Sequence, residues 1–207
     1  MYLAGLSVCT KSKILDVGCG TGRWLDFLSA IGFKNLYGID RYCDDHLPGF
    51  TFQKTDLLNY DHKDFDVITF HHSFEHMDNP YEILECIKRL LKKNGVCIIR
   101  VPVCGGKVWR EYKTDWFQID APRHYFLYSE DGMKEICKRM GFRIKRIIYD
   151  SFPNQFIISE YYKNTTLSLS EISVMISKKD NERYRRIVRK LNRNHEGDMA
   201  SFYLEKT

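Results

Sequence analysis

The chain has 207 residues, enough for one domain with a full core and short for two. At 43% hydrophobic and 29% charged it has the composition of a soluble globular protein rather than a disordered one, and no apolar run approaches the ~20 residues of a membrane span. The formal net charge of +5 is too modest to name a partner by itself.

Lys13 to Val17 reads as a buried strand that ends in a glycine loop. A helix follows over 23–30, with Trp24, Phe27 and Leu28 expected inward. Leu36 to Asp40 is a second strand, Phe50 to Phe52 a weak third, and Phe65 to His71 a strong fourth. Asn79 and Pro80 then open a helix as cap and first helical residue. Ile83, Leu84, Ile87, Leu90 and Leu91 form its apolar stripe, and Asn94-Gly95 is read as its end. Val96 to Val101 is a fifth strand, stopped by Pro102. Ser129 caps a helix carrying Met133, Ile136, Cys137 and Met140, and Phe142 to Tyr149 alternates as a sixth strand. Beyond Ser151 the pattern loosens: 156–162 fits helix or strand, 164–170 is polar, 181–192 is helical, and 200–204 is a terminal strand.

Strands and helices that alternate in this way build a parallel sheet covered by helices on both faces, and such sheets bind ligands at the carboxyl ends of their strands. One domain is therefore expected over 1–207. Its βα core spans 13–150, an insertion or substrate cap 151–195, and a last strand 199–205. The opening residues 1–9 carry no basic region or cleavage site, so no signal peptide is expected. The seven cysteines are odd in number and show no C-x-x-C pair. Neither a disulfide framework nor a metal site is suggested, and reduced thiols in a cytoplasm are the simplest reading.

Gly18-Cys19-Gly20-Thr21-Gly22 joins a strand to a helix. Glycines there allow tight turns and close ligand approach, and a helix N-terminus favours a negative group such as an amino-acid carboxylate. The spacing is G-x-G-x-G, with Arg23 where the dinucleotide fingerprint has its third glycine, and a Walker lysine is absent. Asp40 closes the second strand, where a carboxylate can accept from ribose hydroxyls. Asp56 follows the third strand and can accept from an adenine amino group. Asp16, Arg41, Leu57, Ser73 and His76 complete the expected cofactor contacts.

Residues 14–22, with Asp40, resemble the first motif and second-strand acid of class I S-adenosylmethionine (SAM)-dependent methyltransferases. Residues 65–80, with Phe74-Glu75-His76, resemble the fourth-strand region, and 90–102 resemble the Leu-Lys-Pro-Gly-Gly segment. Ala121-Pro122-Arg123-His124 and 197–204 are similar to the small-molecule branch that includes quinone O-methyltransferases. The resemblance implies a Rossmann-like α/β fold with a mostly parallel seven-stranded sheet and a helical insertion before the last strand. It also implies SAM as methyl donor and S-adenosylhomocysteine (SAH) as product. Relatives carry a longer N-terminal helix than the twelve residues here, so the lid over SAM is expected to be short.

Catalytic candidates are histidines, whose unperturbed pKa suits proton transfer. His124 is the preferred general base, against a role in holding its loop. His71 is a second candidate, against a role in lining the cofactor site. Trp109 and Trp116 are candidates for a substrate wall, and Arg123, with Lys107, Arg110 and Lys113, for an anionic group on the acceptor. Arg183, Arg185, Arg186, Arg189, Lys190 and Arg193 make the late helix basic. The leading reading is therefore an enzyme that methylates a hydroxyl on a small molecule such as a glycan precursor or a quinone. A nucleic-acid methyltransferase using helix 183–193 competes with it. His71-His72-Ser73-Phe74 stands against that, because it is not the Asn/Asp-Pro-Pro-aromatic motif of base methylation. A non-catalytic SAM-binding protein is the third reading.

Overall fold

A computed structural model describes residues 2–207. Lys13–Val17 (β1), Asn35–Asp40 (β2), Thr51–Lys54 (β3), Phe65–His71 (β4) and Leu91–Cys104 (β5) form parallel ladders. Arg23–Ala30 (α1) and Pro80–Leu90 (α2) are crossovers among them. After Lys107–Tyr112 (α3) come the two-residue strand Tyr128–Ser129 (β6), Glu130–Arg139 (α4) and Phe142–Tyr149 (β7). Three helices follow, Pro153–Asn164 (α5), Leu169–Met175 (α6) and Lys178–Arg193 (α7), before the last strand, Met199–Lys206 (β8). The sheet order is β3-β2-β1-β4-β5-β8-β7, with β8 antiparallel to both neighbours and β6 paired to the end of β5. The Rossmann-like expectation stands, with the short β6 as an eighth strand.

Period-two alternation splits the strands between two cores. Leu15, Ile68, Ile99 and Phe202 face α2 and α4, while Ile14, Val67, Ile98 and Tyr203 face α1. The stripe of α1 is Trp24, Leu25 and Leu28, and fully burying each leucine stabilises by about 1.5–3 kcal/mol. Phe27 departs from the expectation: it is 51% exposed, two helical positions beyond Leu25 and therefore about 200° round the axis.

Two further boundaries differ. Asn94 and Gly95 lie inside β5, since α2 ends at Leu90 and Leu91 already pairs with Phe65. Gly95 is needed there for close approach: a Cβ would lie 2.8 Å from the Phe65 carbonyl and from Leu91 Cγ. Nor does Pro102 stop β5, which runs on to Cys104. The ladder to β4 ends at the His71–Arg100 pair, two residues earlier, so on that side the missing proline N–H leaves no rung unmade. The third strand begins at Thr51, and the Phe50 ring instead lies against Gly22 and Gly38.

The segment read as ambiguous at 156–162 is helical. Phe156 stacks on Tyr184 of α7, and Val188 and Leu191 complete a third apolar cluster with Val108, Tyr112 and Trp116. Buried polar bonds tie this cluster to the sheet: Trp116 Nε1 donates to Asp198 Oδ2 at 2.9 Å, and Ser151 Oγ accepts from the Asp198 and Met199 amides. No helix among the described residues is long and apolar enough to cross a membrane.

Candidate active site

The carboxyl ends of β1 to β4 meet around a cavity of about 590 Å³, within the ~300–1,000 Å³ usual for small-molecule sites. Its floor is the turn after β1. The Gly18 and Cys19 amides both donate to the Ile39 carbonyl, at 2.8 and 3.1 Å, which draws the loop under β2. Gly18 has φ 70°, and a Cβ there would stand 2.5 Å from Ser73 Cβ. Ser73, whose Oγ donates to the Val17 carbonyl at 2.6 Å, therefore demands glycine opposite it.

Asp40 holds this loop from the other side. Its Oδ2 accepts from the Gly20 amide at 2.9 Å, and its Oδ1 accepts from the Tyr42 and Cys43 amides at 2.8 and 2.9 Å. A carboxylate has about four acceptor positions, so one remains for a ligand hydroxyl. Asp56 caps the short turn Leu57–Asn59 through the Leu58 amide and faces Arg41 across 3.6 Å.

Gly18, Asp40, Arg41, Asp56, Leu57, Ser73 and His76 line the cavity, together with Arg123 from the substrate set. Asp16, Cys19, Gly20, Gly22 and His71 are not in its lining. Asp16 is buried beneath the loop, where its Oδ1 accepts from Thr69 Oγ1 at 2.7 Å. Burial pushes its carboxyl up to about 7, against the Thr69 hydrogen bond, with the nearby Asp40 charge adding to the rise. Desolvation likewise pushes the Cys19 thiol up.

The His71 ring packs between Tyr2 and Trp24, with centroids 4.6 and 4.7 Å away. Burial lowers its pKa to about 3, helped by Arg100 and His72, so it is a neutral imidazole at ordinary pH. Strand alternation sends His71 to the α1 face, and the chain then turns at His72 through φ 56°. It is His72 that lines the cavity. Arg100 Nη1 donates to His72 Nε2, which leaves the Nδ1–H toward Glu75 Oε1, 3.5 Å away.

Glu75 is fully buried, and neither carboxylate oxygen has a hydrogen-bond partner among the described residues. The sequence placed it only within Phe74-Glu75-His76 and gave it no role, because the start of a short helical turn is an ordinary place for a solvated glutamate. His124 Nε2 lies 4.0 Å from Glu75 Oε1, and the His76 and His124 rings are 4.7 Å apart. His124 is outside the cavity lining, with its side chain 5% exposed.

Trp109 and Trp116 stand edge to face in the third apolar cluster, away from the cavity. They form core beneath α5 and α7 rather than a substrate wall. Arg110 is taken up by the Gly105 carbonyl and Glu196. Lys107 and Lys113 are also outside the lining, while Arg185 and Arg189 border a separate surface groove with Phe152 and Asn154.

A family model described as "Methyltransferase domain" matches residues 7–147. Among curated proteins, the ubiquinone biosynthesis O-methyltransferase of Glaesserella parasuis is 30% identical over 104 residues, 42% of this chain and 44% of that one. The match thus spans less than half of that relative. The enzyme of the same description from Rickettsia canadensis is 25% identical over 171 residues, 73% of this chain and 72% of that one. Among solved structures, a SAM-dependent methyltransferase from Archaeoglobus fulgidus superposes with TM-score 0.60 at 21% identity, covering 95% of this chain and 86% of the other. The chain belongs to the methyltransferase domain family, and its fold is that of a solved SAM-dependent methyltransferase.

Proposed function

We propose that the chain transfers a methyl group from SAM to a hydroxyl of a small molecule. The observation that carries this reading is the shape of the carboxyl edge. One cavity has acidic hydrogen-bond acceptors, Asp40 and Asp56, on the β2–β3 side and His72 and His76 beside Ser73, with Glu75 and His124 next to His76 but outside the lining. The first side suits an adenosyl group held through ribose and base, and the second suits a hydroxyl that must lose a proton. The curated relatives, named as O-methyltransferases of ubiquinone biosynthesis, support a hydroxyl acceptor.

In this reading Gly18 and Ser73 bring the chain close to the cofactor, Asp40 accepts from a ribose hydroxyl, and Asp56 accepts from the adenine amino group. Met77, Ile83 and Tyr125 make the apolar part of the cavity wall. The new O–CH₃ bond forms as the S–CH₃ bond breaks, and its electron pair stays on sulfur to give SAH. In-line positioning supplies up to ~7–11 kcal/mol of such a barrier. His124, which stands behind His76 and outside the lining, is the proposed base for the hydroxyl's proton. Its Nδ1–H donates to the Gln118 carbonyl at 2.8 Å, so Nε2 keeps a free lone pair beside Glu75.

Calorimetric titration with SAH tests the foundation, and methyl transfer from labelled SAM to a panel of phenols, catechols and sugar alcohols tests the acceptor class. Absence of SAH binding removes the reading. Transfer to RNA but to none of the panel favours the alternative, in which the exposed arginines of α7 hold a phosphate backbone.

A further inference from the structure

The Arg100 side chain is only 5% exposed, and its Nη2 has no hydrogen-bond partner among the described residues. We propose that Arg100 and Asp150 form an acceptor subsite that reads a second, uncharged hydroxyl, so that the methyl acceptor is a polyhydroxylated molecule of the sugar class. The inference rests on the hydroxyl-methylation reading above and names the substrate class of that reaction.

Three observations carry it. The first is a gathering of buried polar atoms at one spot. His71 in β4 and Ser201 in β8 are the register partners of Arg100 on its two sides, so the three side chains leave the sheet on one face. His71 Nε2, Arg100 Nη2 and Ser201 Oγ are all buried without a partner among the described residues. So is Oδ1 of Asp150, the residue that follows β7. Native folds leave few such atoms, and each is costly until something meets it.

The second observation is charge balance. Arg100 Nε donates to Asp150 Oδ2 at 2.7 Å, and Nη1 donates to His72 Nε2. One ion pair is thus left with a free donor, Nη2, and a free acceptor, Oδ1. A carboxylate placed there meets the Asp150 charge as well as the guanidinium. A hydroxyl accepts from Nη2 and donates to Oδ1, and so satisfies both without adding charge. The neighbouring His71 and Ser201 are uncharged and suit the same kind of ligand.

The third observation is position. His72 lines the cavity and accepts from Arg100, so the guanidinium stands behind the cavity wall, at the carboxyl ends of β4, β5 and β7. The proposed cofactor residues use the ends of β1 to β4, and the strands beyond them in the sheet continue the ligand edge. Because the His72 imidazole intervenes, the hydroxyl read here is not the neighbour of the one methylated. That favours a sugar ring over a phenol or a catechol. The cover over the guanidinium is aromatic: the Tyr2 and Phe152 rings are centred 5.7 and 5.3 Å from it. Phe152 is half-exposed and borders the surface groove beside α7, so outward rotation of its ring is the route of access.

The test is methyl transfer from labelled SAM to matched probes: methyl glycosides of common hexoses, cyclohexanols and phenols with one hydroxyl, and methyl uronosides, which carry a carboxylate. The best glycoside should exceed both other sets at least about tenfold in kcat/KM, with the difference in KM, because an analogue lacking the hydroxyl leaves Nη2 and Oδ1 unpaired. Arg100→Lys keeps a charge opposite Asp150 but loses Nη2, and should bring glycoside and single-hydroxyl probes to near parity. Asp150→Asn, at a partly exposed side chain, makes the subsite net positive and should turn the preference toward the uronoside. SAH affinity of each variant reports that it has folded. The inference is overturned if no glycoside outruns the single-hydroxyl probes, if the unmutated chain prefers uronosides, or if both variants keep the unmutated ranking. Absence of SAH binding by the unmutated chain sinks the hydroxyl-methylation reading itself, whereas SAH binding with phenols as the sole acceptors sinks this inference alone.

Discussion

Gly18 and Ser73 show how closely the site is packed at the residue scale. Alanine at Gly18 must take φ 70° and also displace the Ser73 side chain. Gly18→Ala should cost about 1–3 kcal/mol of stability and weaken SAH binding, read by denaturant melts and calorimetry. Asp40→Ala removes the acceptor for three backbone amides, so SAH affinity should fall at least tenfold; unchanged affinity would refute its assignment. His124→Ala should slow methyl transfer about 10²–10⁴-fold while sparing SAH affinity. His71 makes a prediction about pH. Its folded pKa of about 3 lies below the ordinary value of 6.5, so between those limits the unfolded chain binds more protons. Its contribution to stability is therefore complete above about pH 6.5 and is lost as pH falls toward 3. His71→Phe, which keeps a ring between Tyr2 and Trp24, should flatten that acid-side slope in melts taken across the window.

At the scale of elements, much of the order was legible. β1, β4 and β7 begin and end where read, because an apolar stretch bounded by polar turns has few other solutions. Ser129 caps α4 as expected, accepting from the Gly132 amide at 3.0 Å, and Ser129→Ala should cost about 1 kcal/mol in a thermal melt. Asn94-Gly95 and Pro102 misled because their meaning depends on a neighbour. Glycine is needed where Leu91 and the Phe65 carbonyl crowd it, and proline is tolerated where the β4 ladder has already ended. Trp116 belongs here too. Phenylalanine in its place leaves Asp198 Oδ2 without its indole donor inside a buried cluster, and Trp116→Phe should lower stability by about 1–3 kcal/mol.

For the whole molecule, the modest positive charge concentrates on α7, which lies against α5 and away from the cavity. Charge reversal at Arg185 and Arg189 should leave small-acceptor methylation within about twofold, since neither lines the cavity and exposed charges are screened by salt; its loss would bring α7 into the acceptor site. The residue pattern alone settled the α/β alternation, the glycine turn, and acids at the ends of β2 and β3, because each follows from local periodicity and backbone freedom. Only the folded chain decided which of two adjacent histidines enters the cavity, that Trp109 and Trp116 are core, and that Glu75 lies buried with His124 from a distant segment against it. Those facts depend on which face a strand shows and on what arrives from 45 or more residues away, and no local pattern encodes either.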